Sequence, residues 1–260
     1  MNNIKEWVKP KFSQKFEFFT LVTRFEEYKE MVNSAKKSGF DRNDVSFTYF
    51  DNKNKNEFDG FSGLNEALRS SNAEYIIYCH QDILFNYDDY NKLINCIEKL
   101  NTIDPLWAVA GNAGKTENGH LKIKITDPNG LEQTKGPFPS KVISLDENFL
   151  IINNRYNVSS SYSMWGFHLY GIDLCTNAIN LGLTCYVIDF HLLHKSAGSI
   201  DNVFYMSRKN MISILESRKK QSFYSTTCTY FYAGNNKYFN YFMNNKLIIK
   251  LVFCFLKHNR

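Results

Sequence analysis

Tyr75-Ile76-Ile77-Tyr78-Cys79-His80-Gln81-Asp82 is the stretch that decides how this chain is read. An apolar, β-favouring run without polar alternation stops at three polar residues, the last of them a carboxylate. Such a run is a strand covered on both faces, as the strands of parallel sheets are. In open α/β folds, ligands bind beyond the carboxyl ends of these strands. Asp82 therefore stands where a metal ion or a phosphate would be held. Taken alone it is more often a solvated carboxylate at a strand exit, so the surrounding elements have to decide.

Upstream, residues 16–22 form another apolar, aromatic run that ends at Thr23. Tyr28, Met31, Val32 and Ala35 follow helical spacing, and Gly39 is placed to close that helix in a left-handed cap. Residues 45–50 alternate as a second strand ending at Asp51. Phe61, Leu64, Ala67 and Leu68 then line one face of a second helix. The pattern is β-α-β-α-β, and Thr23, Asp51 and residues 80–82 all fall at strand ends on one rim. No GxGxxG or GxxxxGK[ST] loop follows the first strand, which argues against a dinucleotide enzyme or a P-loop ATPase.

Downstream, Asp88 and Asp89 cap a helix carrying Tyr90, Leu93, Ile94 and Ile97. Residues 106–110 read as a strand, and residues 121–125 alternate as a half-exposed one. Gly136, Pro137 and Pro139 mark residues 130–140 as a loop. Apolar runs 142–145 and 149–152 flank Asp146-Glu147. The polar residues 159–163 precede Trp165-Gly166-Phe167-His168. Residues 172–181 read as a helix closed by Gly182. Residues 183–190 form a last apolar strand leading to His191, His194 and Lys195. His191 and His194 are three apart, so on a strand they face opposite sides and cannot share one ion.

The 260 residues are 43% hydrophobic and 22% charged, which suits one large α/β domain with a small extension. We place the domain at residues 1–205, in two halves, 16–112 and 113–205. The extension, residues 206–260, is rich in Tyr, Phe, Asn and Lys. At about 100° per residue, Lys246, Lys250 and Lys257 form one narrow helical stripe within it. A net charge of +5 fits anionic substrates or an anionic membrane surface as partner, and falls short of the clustered basicity of a nucleic-acid binder. Six cysteines, at 79, 96, 175, 185, 228 and 254, make no CxxC pair and read as thiols of a reducing compartment. Residues 1–11 lack the apolar core of a signal peptide, and no apolar stretch reaches the roughly 18 residues of a spanning helix. A cytoplasmic protein is expected, peripheral on the inner face of the cell membrane if the last segment binds lipid.

The order of these motifs resembles the GT-A glycosyltransferases, in the family 2-type bacterial branch where His-Gln-Asp replaces the usual Asp-x-Asp. The resemblance covers residues 16–205. It rests on the Asp51 strand end, Phe61-Ser62-Gly63-Leu64-Asn65-Glu66-Ala67, His80-Gln81-Asp82, Asp146-Glu147, Tyr170-Gly171-Ile172-Asp173-Leu174-Cys175 and His194-Lys195-Ser196. It implies an α/β GT-A fold: a Rossmann-like, mostly parallel central sheet flanked by helices, followed here by the aromatic and basic extension. It also implies an inverting, hexosyltransferase-type enzyme of bacterial surface polysaccharide assembly, moving sugar from a nucleotide-sugar donor to a glycan or lipid-linked acceptor. Thr23, Asp51, Asn65, His80 and Asp82 would bind the donor, with Asp51 on the nucleobase. Asp82 and His194 would hold a divalent metal, Mn2+ or Mg2+. Asp173 would be the base, with Asp146 and Glu147 as its reserves or as acceptor ligands, and Trp165 and His168 would line the acceptor site. The alternative is a non-catalytic nucleotide-sugar-binding or scaffold subunit, separable by a donor-hydrolysis assay.

Overall fold

A computed structural model of the chain describes residues 11–129, 131–196, 198, 202–218, 222–225 and 230–258. Residues 1–10, read above for a signal peptide, lie outside the described residues, as do Cys228 and the side chain of Lys257. The chain forms two compact units, Met1–Arg208 and Lys209–Arg260.

The first unit begins with β1 (Gln14–Val22), α1 (Phe25–Ala35), β2 (Val45–Asp51), α2 (Gly60–Ser70) and β3 (Ala73–Cys79). β1 lies between β2 and β3 and is parallel to both. Helix α1 buries Tyr28, Met31 and Ala35, and Gly39 turns the chain at φ 89° after it. That left-handed conformation is open to glycine at little steric cost. Helix α2 starts in a capping box, the Asp59 carboxylate accepting from the N–H groups of Phe61 and Ser62.

The chain continues through β4 (Ile83–Leu84), α3 (Tyr90–Ile103), β5 (Trp107–Gly111), β6 (Ala113–Lys115), β7 (Leu121–Asp127) and β8 (Leu131–Lys135). Then come β9 (Ser140–Val142), β10 (Ser144–Leu145), β11 (Phe149–Asn153), α4 (Tyr170–Asn180), β12 (Thr184–Val187), β13 (Leu192–His194) and α5 (Asn202–Arg218). Seven strands form the central sheet in the order β2-β1-β3-β11-β5-β12-β9. Five of them point one way, while β11 and the edge strand β9 run antiparallel to their neighbours. β11 is buried along its whole length, which is why its sequence shows no alternation. On one face of this sheet Phe16, Phe18, Phe40, Tyr75, Trp107 and Phe149 build an aromatic core.

A second sheet runs β10-β6-β7-β13-β4, with β8 added on β7. Residues 131–135, expected in a loop, instead pair antiparallel with 123–127. Leu131-Glu132-Gln133-Thr134-Lys135 stays largely exposed, so its pairing is carried by main-chain bonds that leave no apolar alternation to read. The apolar strand expected over 183–190 is shorter, ending at Val187.

The second unit contains the antiparallel hairpin β14 (Ser222–Ser225) and β15 (Tyr230–Ala233), then α6 (Lys237–Met243) and α7 (Lys246–His258). Asn244 ties the end of α6 to β15, accepting from Tyr232 N and donating to Tyr232 O, both at 2.8 Å. Among the described residues no helix is long and apolar enough to cross a membrane.

Candidate functional site

The parallel register of β1, β2 and β3 fixes where their ends fall. Val22 pairs with Asp51, and Phe19 with Tyr78, so Thr23, Asn52 and His80 leave the sheet on the same edge. Gln81 ties this edge together. Its Oε1 accepts from Thr23 N at 3.0 Å and Arg24 N at 2.9 Å, and its Nε2 donates to Thr23 Oγ1 at 2.9 Å. The middle residue of His-Gln-Asp is thus a brace between strand ends, and its polar atoms are used within the protein.

His194 arrives from far along the chain because β13 pairs antiparallel with β4, His194 opposite Ile83. The Lys195 N–H also donates to Asp82 O at 3.0 Å. His194 Nε2 lies 3.4 Å from Asp82 Oδ1 and 3.4 Å from His80 Nδ1, and His80 Nδ1 lies 4.0 Å from Asp82 Oδ1. Ser196 Oγ is 3.2 Å from His194 Nε2. Asp82 is only 6% exposed, in contrast to the solvent-facing carboxylate expected at a strand exit. Burial alone would raise its pKa, but the hydrogen bond and charge of His194, with Ser196 and His80, hold it well below the usual carboxylate range. His194 moves the other way: burial would lower it, but Asp82 raises it above the ordinary imidazole value. His80 is lowered by burial and by the charge of His194.

One atom from each of His80, Asp82 and His194 converges within 4.8 Å, a group able to hold a metal ion. Two imidazole nitrogens with one carboxylate suit a borderline ion such as Mn2+ better than Mg2+, which takes oxygen ligands in rigid octahedral geometry. A cleft of about 300 Å³ opens beside this group, lined by its His80 and Asp82 together with Thr23, Asn52, Phe167 and His168, among others.

The remaining candidates fall at different distances from it. Asp51 is exposed at the end of β2 and pairs with Lys53 at 3.2 Å, and the Lys53 N–H lowers its pKa. Its neighbour Asn52 forms the cleft wall, and the Asn52 side chain is held by the main chain of Phe58. Asn65 bonds Ser160 in both directions, N to Oδ1 at 2.9 Å and Nδ2 to O at 3.1 Å, and lines a separate cavity of about 260 Å³. Trp165 is half-exposed on the loop 154–169, next to Gly166, whose N–H donates to Asp59 Oδ2 at 2.9 Å. His168 reaches the cleft and meets Phe204 edge-on. His191 is held by Thr126 and stacked on Tyr87 at 3.9 Å, a packing role.

Asp173 is 2% exposed. Its carboxylate accepts from Ser161 N and Ser161 Oγ, both at 2.6 Å, and from Asn177 Nδ2 at 3.3 Å. It fastens the loop to α4. Asp146 is exposed, accepts from Asn148 N at 3.0 Å, and its charge acts on both His80 and His194. Glu147 Oε1 accepts from Gly171 N at 3.2 Å, and burial with the charge of Asp146 pushes the carboxyl up to about 8. Sequence reasoning missed Asn52, Gln81, Phe167 and Tyr170. Gln81 lay inside the tripeptide and Tyr170 at the head of the 170–175 motif, but nothing in the local pattern gave either a role of its own.

No protein-family model matches the chain. A protein described as ATP synthase subunits region ORF 6, from Fuscovulum blasticum, is 36% identical over 202 residues, covering 75% of this chain and 81% of that protein. Among solved structures, GalNAc-T7 superposes with a TM-score of 0.52 at 10% identity over 78% of this chain. The match spans about half of GalNAc-T7, 48% of its chain. Residues 1–349 of TarS from S. aureus give a TM-score of 0.49 at 12% identity, covering 78% of this chain and 66% of that one. The chain belongs to the family of the Fuscovulum blasticum ORF 6 protein, and its fold is the GT-A glycosyltransferase fold.

Proposed function

We propose that the protein is a metal-dependent glycosyltransferase that moves a hexosyl group from a nucleotide-sugar donor to a hydroxyl of a glycan or lipid-linked acceptor, with inversion. The observation that carries this reading is the convergence of His80, Asp82 and His194 at the strand ends of a GT-A fold, beside a cleft that His80 and Asp82 line. A nucleoside diphosphate leaves readily only when its developing charge is offset, and a divalent cation supplies that offset. GalNAc-T7 was solved with UDP, GalNAc and Mn2+, which supports a nucleotide donor and Mn2+ here.

In this reading the nucleoside lies along the ends of β1 and β2, against Thr23, Asn52 and Asp51. Asn65 acts at one remove, through Ser160 and the loop that carries Trp165 and His168 to the acceptor side. Asp173 is buried and its carboxylate accepts from Ser161 and Asn177, whereas Asp146 is exposed and its charge reaches both His80 and His194, so we assign the base of the inverting step to Asp146, with Asp173 as the competing candidate. Glu147 serves acceptor binding. Surface polysaccharide assembly at the inner face of a bacterial membrane follows from the sequence resemblance, and the basic, aromatic second unit supports the membrane part.

The test is a thermal-shift screen against UDP-, GDP-, dTDP- and CMP-sugars with and without Mn2+, followed by turnover. One nucleotide class should raise the midpoint only with Mn2+, and Asp82→Ala should abolish both the response and the reaction. Asp146→Asn should retain donor binding and lose about two to four orders of magnitude in rate, the usual contribution of a general base. Normal turnover by Asp82→Ala, or no metal-linked response to any nucleotide sugar, would sink the reading.

A further inference from the structure

We propose that Tyr170 is a positioning residue that fixes His80 in a single tautomer, with the Nδ1 lone pair turned toward Asp82 and His194. The inference rests on the metal reading of the cleft and carries it to the second layer of residues.

Proton accounting leads to it. Tyr170 Oη lies 3.1 Å from His80 Nε2 and 3.2 Å from the main-chain oxygen of Glu147. A carbonyl oxygen only accepts, so the one hydroxyl proton of Tyr170 is donated to Glu147. Oη then meets His80 with a lone pair, and the shared hydrogen must come from Nε2. A neutral imidazole carries one ring proton; with that proton on Nε2, Nδ1 is a bare acceptor. Nδ1 is also the ring atom that faces the cluster, at 3.4 Å from His194 Nε2. The opposite tautomer would aim an N–H at the place where a ligand atom is needed.

Packing keeps Tyr170 from turning away. Its side chain is buried, edge-on to Tyr78 at 5.7 Å and to Phe61 at 6.1 Å. Gly60 leaves room for the ring: a Cβ there would come within 2.6 Å of Tyr170 Cε1. Leu169 enters α4 at φ 70°, a left-handed conformation that is strained for a non-glycine residue and immediately precedes Tyr170. Hydrogen bonds of this kind, from the second ring nitrogen of a ligating histidine, orient the ring and typically change metal affinity about 10- to 100-fold.

The experiment uses the full chain labelled with 15N and free of metal. Imidazole spectra, with the His80 signals assigned by their loss in His80→Gln, should show Nε2 protonated and Nδ1 bare. Tyr170→Phe keeps the ring and its packing, so it should give a mixture of tautomers and weaken Mn2+ binding by about 10- to 100-fold in calorimetry. A proton on Nδ1 of His80 in the wild type overturns the inference without any variant. Equal Mn2+ affinity of wild type and Tyr170→Phe overturns the positioning role while leaving the metal reading standing. Absence of Mn2+ binding by the wild type overturns the metal reading, and the ligand role of His80 with it.

Discussion

Asp82 and Glu147 are carboxyls driven in opposite directions by their surroundings. The Asp82 anion has an imidazole partner at 3.4 Å, which outweighs the penalty of burial. Glu147 has burial and a neighbouring acid against it, and only main-chain N–H groups in its favour. Its ordinary value of 4.5 rises to about 8 in the fold. The folded protein therefore holds this proton more tightly than the unfolded chain does. Between those two values stability must fall as pH rises, because ionised Glu147 is tolerated better unfolded. Glu147→Gln keeps an acceptor for Gly171 N but does not titrate. It should match the wild type near pH 5 and exceed it by about 1–3 kcal/mol near pH 9, less than the full shift implies because a partly accessible carboxyl keeps some solvation. Denaturant midpoints across that range measure it. A difference between the two proteins that does not change with pH would show that Glu147 is not the group responsible.

The loop 154–169 is an element without regular structure, and side chains hold it in place of a hydrogen-bonded ladder. Asn65 takes both main-chain groups of Ser160, Asp173 takes the N–H and hydroxyl of Ser161, and Asp59 takes the N–H of Gly166. Ser160 and Ser161 are buried, so losing a partner strands polar groups away from water at about 1–3 kcal/mol each. Asp173→Ala should therefore lower stability by about that amount and speed hydrogen exchange across 159–168, and should raise the acceptor KM more than it lowers kcat. If Asp173→Ala instead left exchange unchanged and removed turnover alone, Asp173 would be the base after all. The sequence signalled little of this. Apolar periodicity disclosed β1, α1, β2, α2 and β3, since each turns a continuous apolar face to the core within a few residues, part-buried in β2 and buried in the rest. It could not disclose β8, whose residues stay exposed, or the antiparallel insertion of β11, because pairing direction leaves no mark on a fully buried strand. Asp82 was legible from its place at a strand end and His194 from the resemblance. The meeting of His80 with Tyr170, 90 residues later, depends on tertiary packing that no local pattern encodes.

At the scale of the whole chain, charge is divided unevenly. Residues 209–260 hold nine of the 31 Lys and Arg and one of the 26 Asp and Glu, a net +8. With +5 for the whole, the first 208 residues stand at −3. The same basic unit exposes large apolar side chains: Tyr238 at 85%, Tyr241 at 87%, Leu247 at 72% and Leu251 at 71%. On α6, Tyr238, Tyr241 and Phe242 share one face at i, i+3, i+4; on α7, Leu247, Leu251 and the exposed Cys254 do so at i, i+4, i+7, beside Lys246 and Lys250. An apolar stripe edged with lysines, on helices too short to span, is the composition of a segment that lies in the headgroup region of an anionic bilayer. Each lysine near such a surface adds about 1 kcal/mol of attraction, screened by salt, while the aromatic and leucine side chains add a part that salt does not screen. The two contributions can be separated. Binding of the full chain to vesicles containing phosphatidylserine should weaken with added salt, and Lys246→Glu with Lys250→Glu should remove most of that salt dependence. Tyr238→Ser, Tyr241→Ser, Leu247→Ser and Leu251→Ser together should lower affinity at every salt concentration, with the thermal midpoint held because these side chains are exposed in the fold. Equal binding to neutral and anionic vesicles, or a charge-reversed variant that binds as the wild type does, would end the membrane assignment of this unit and leave its exposed face to another protein.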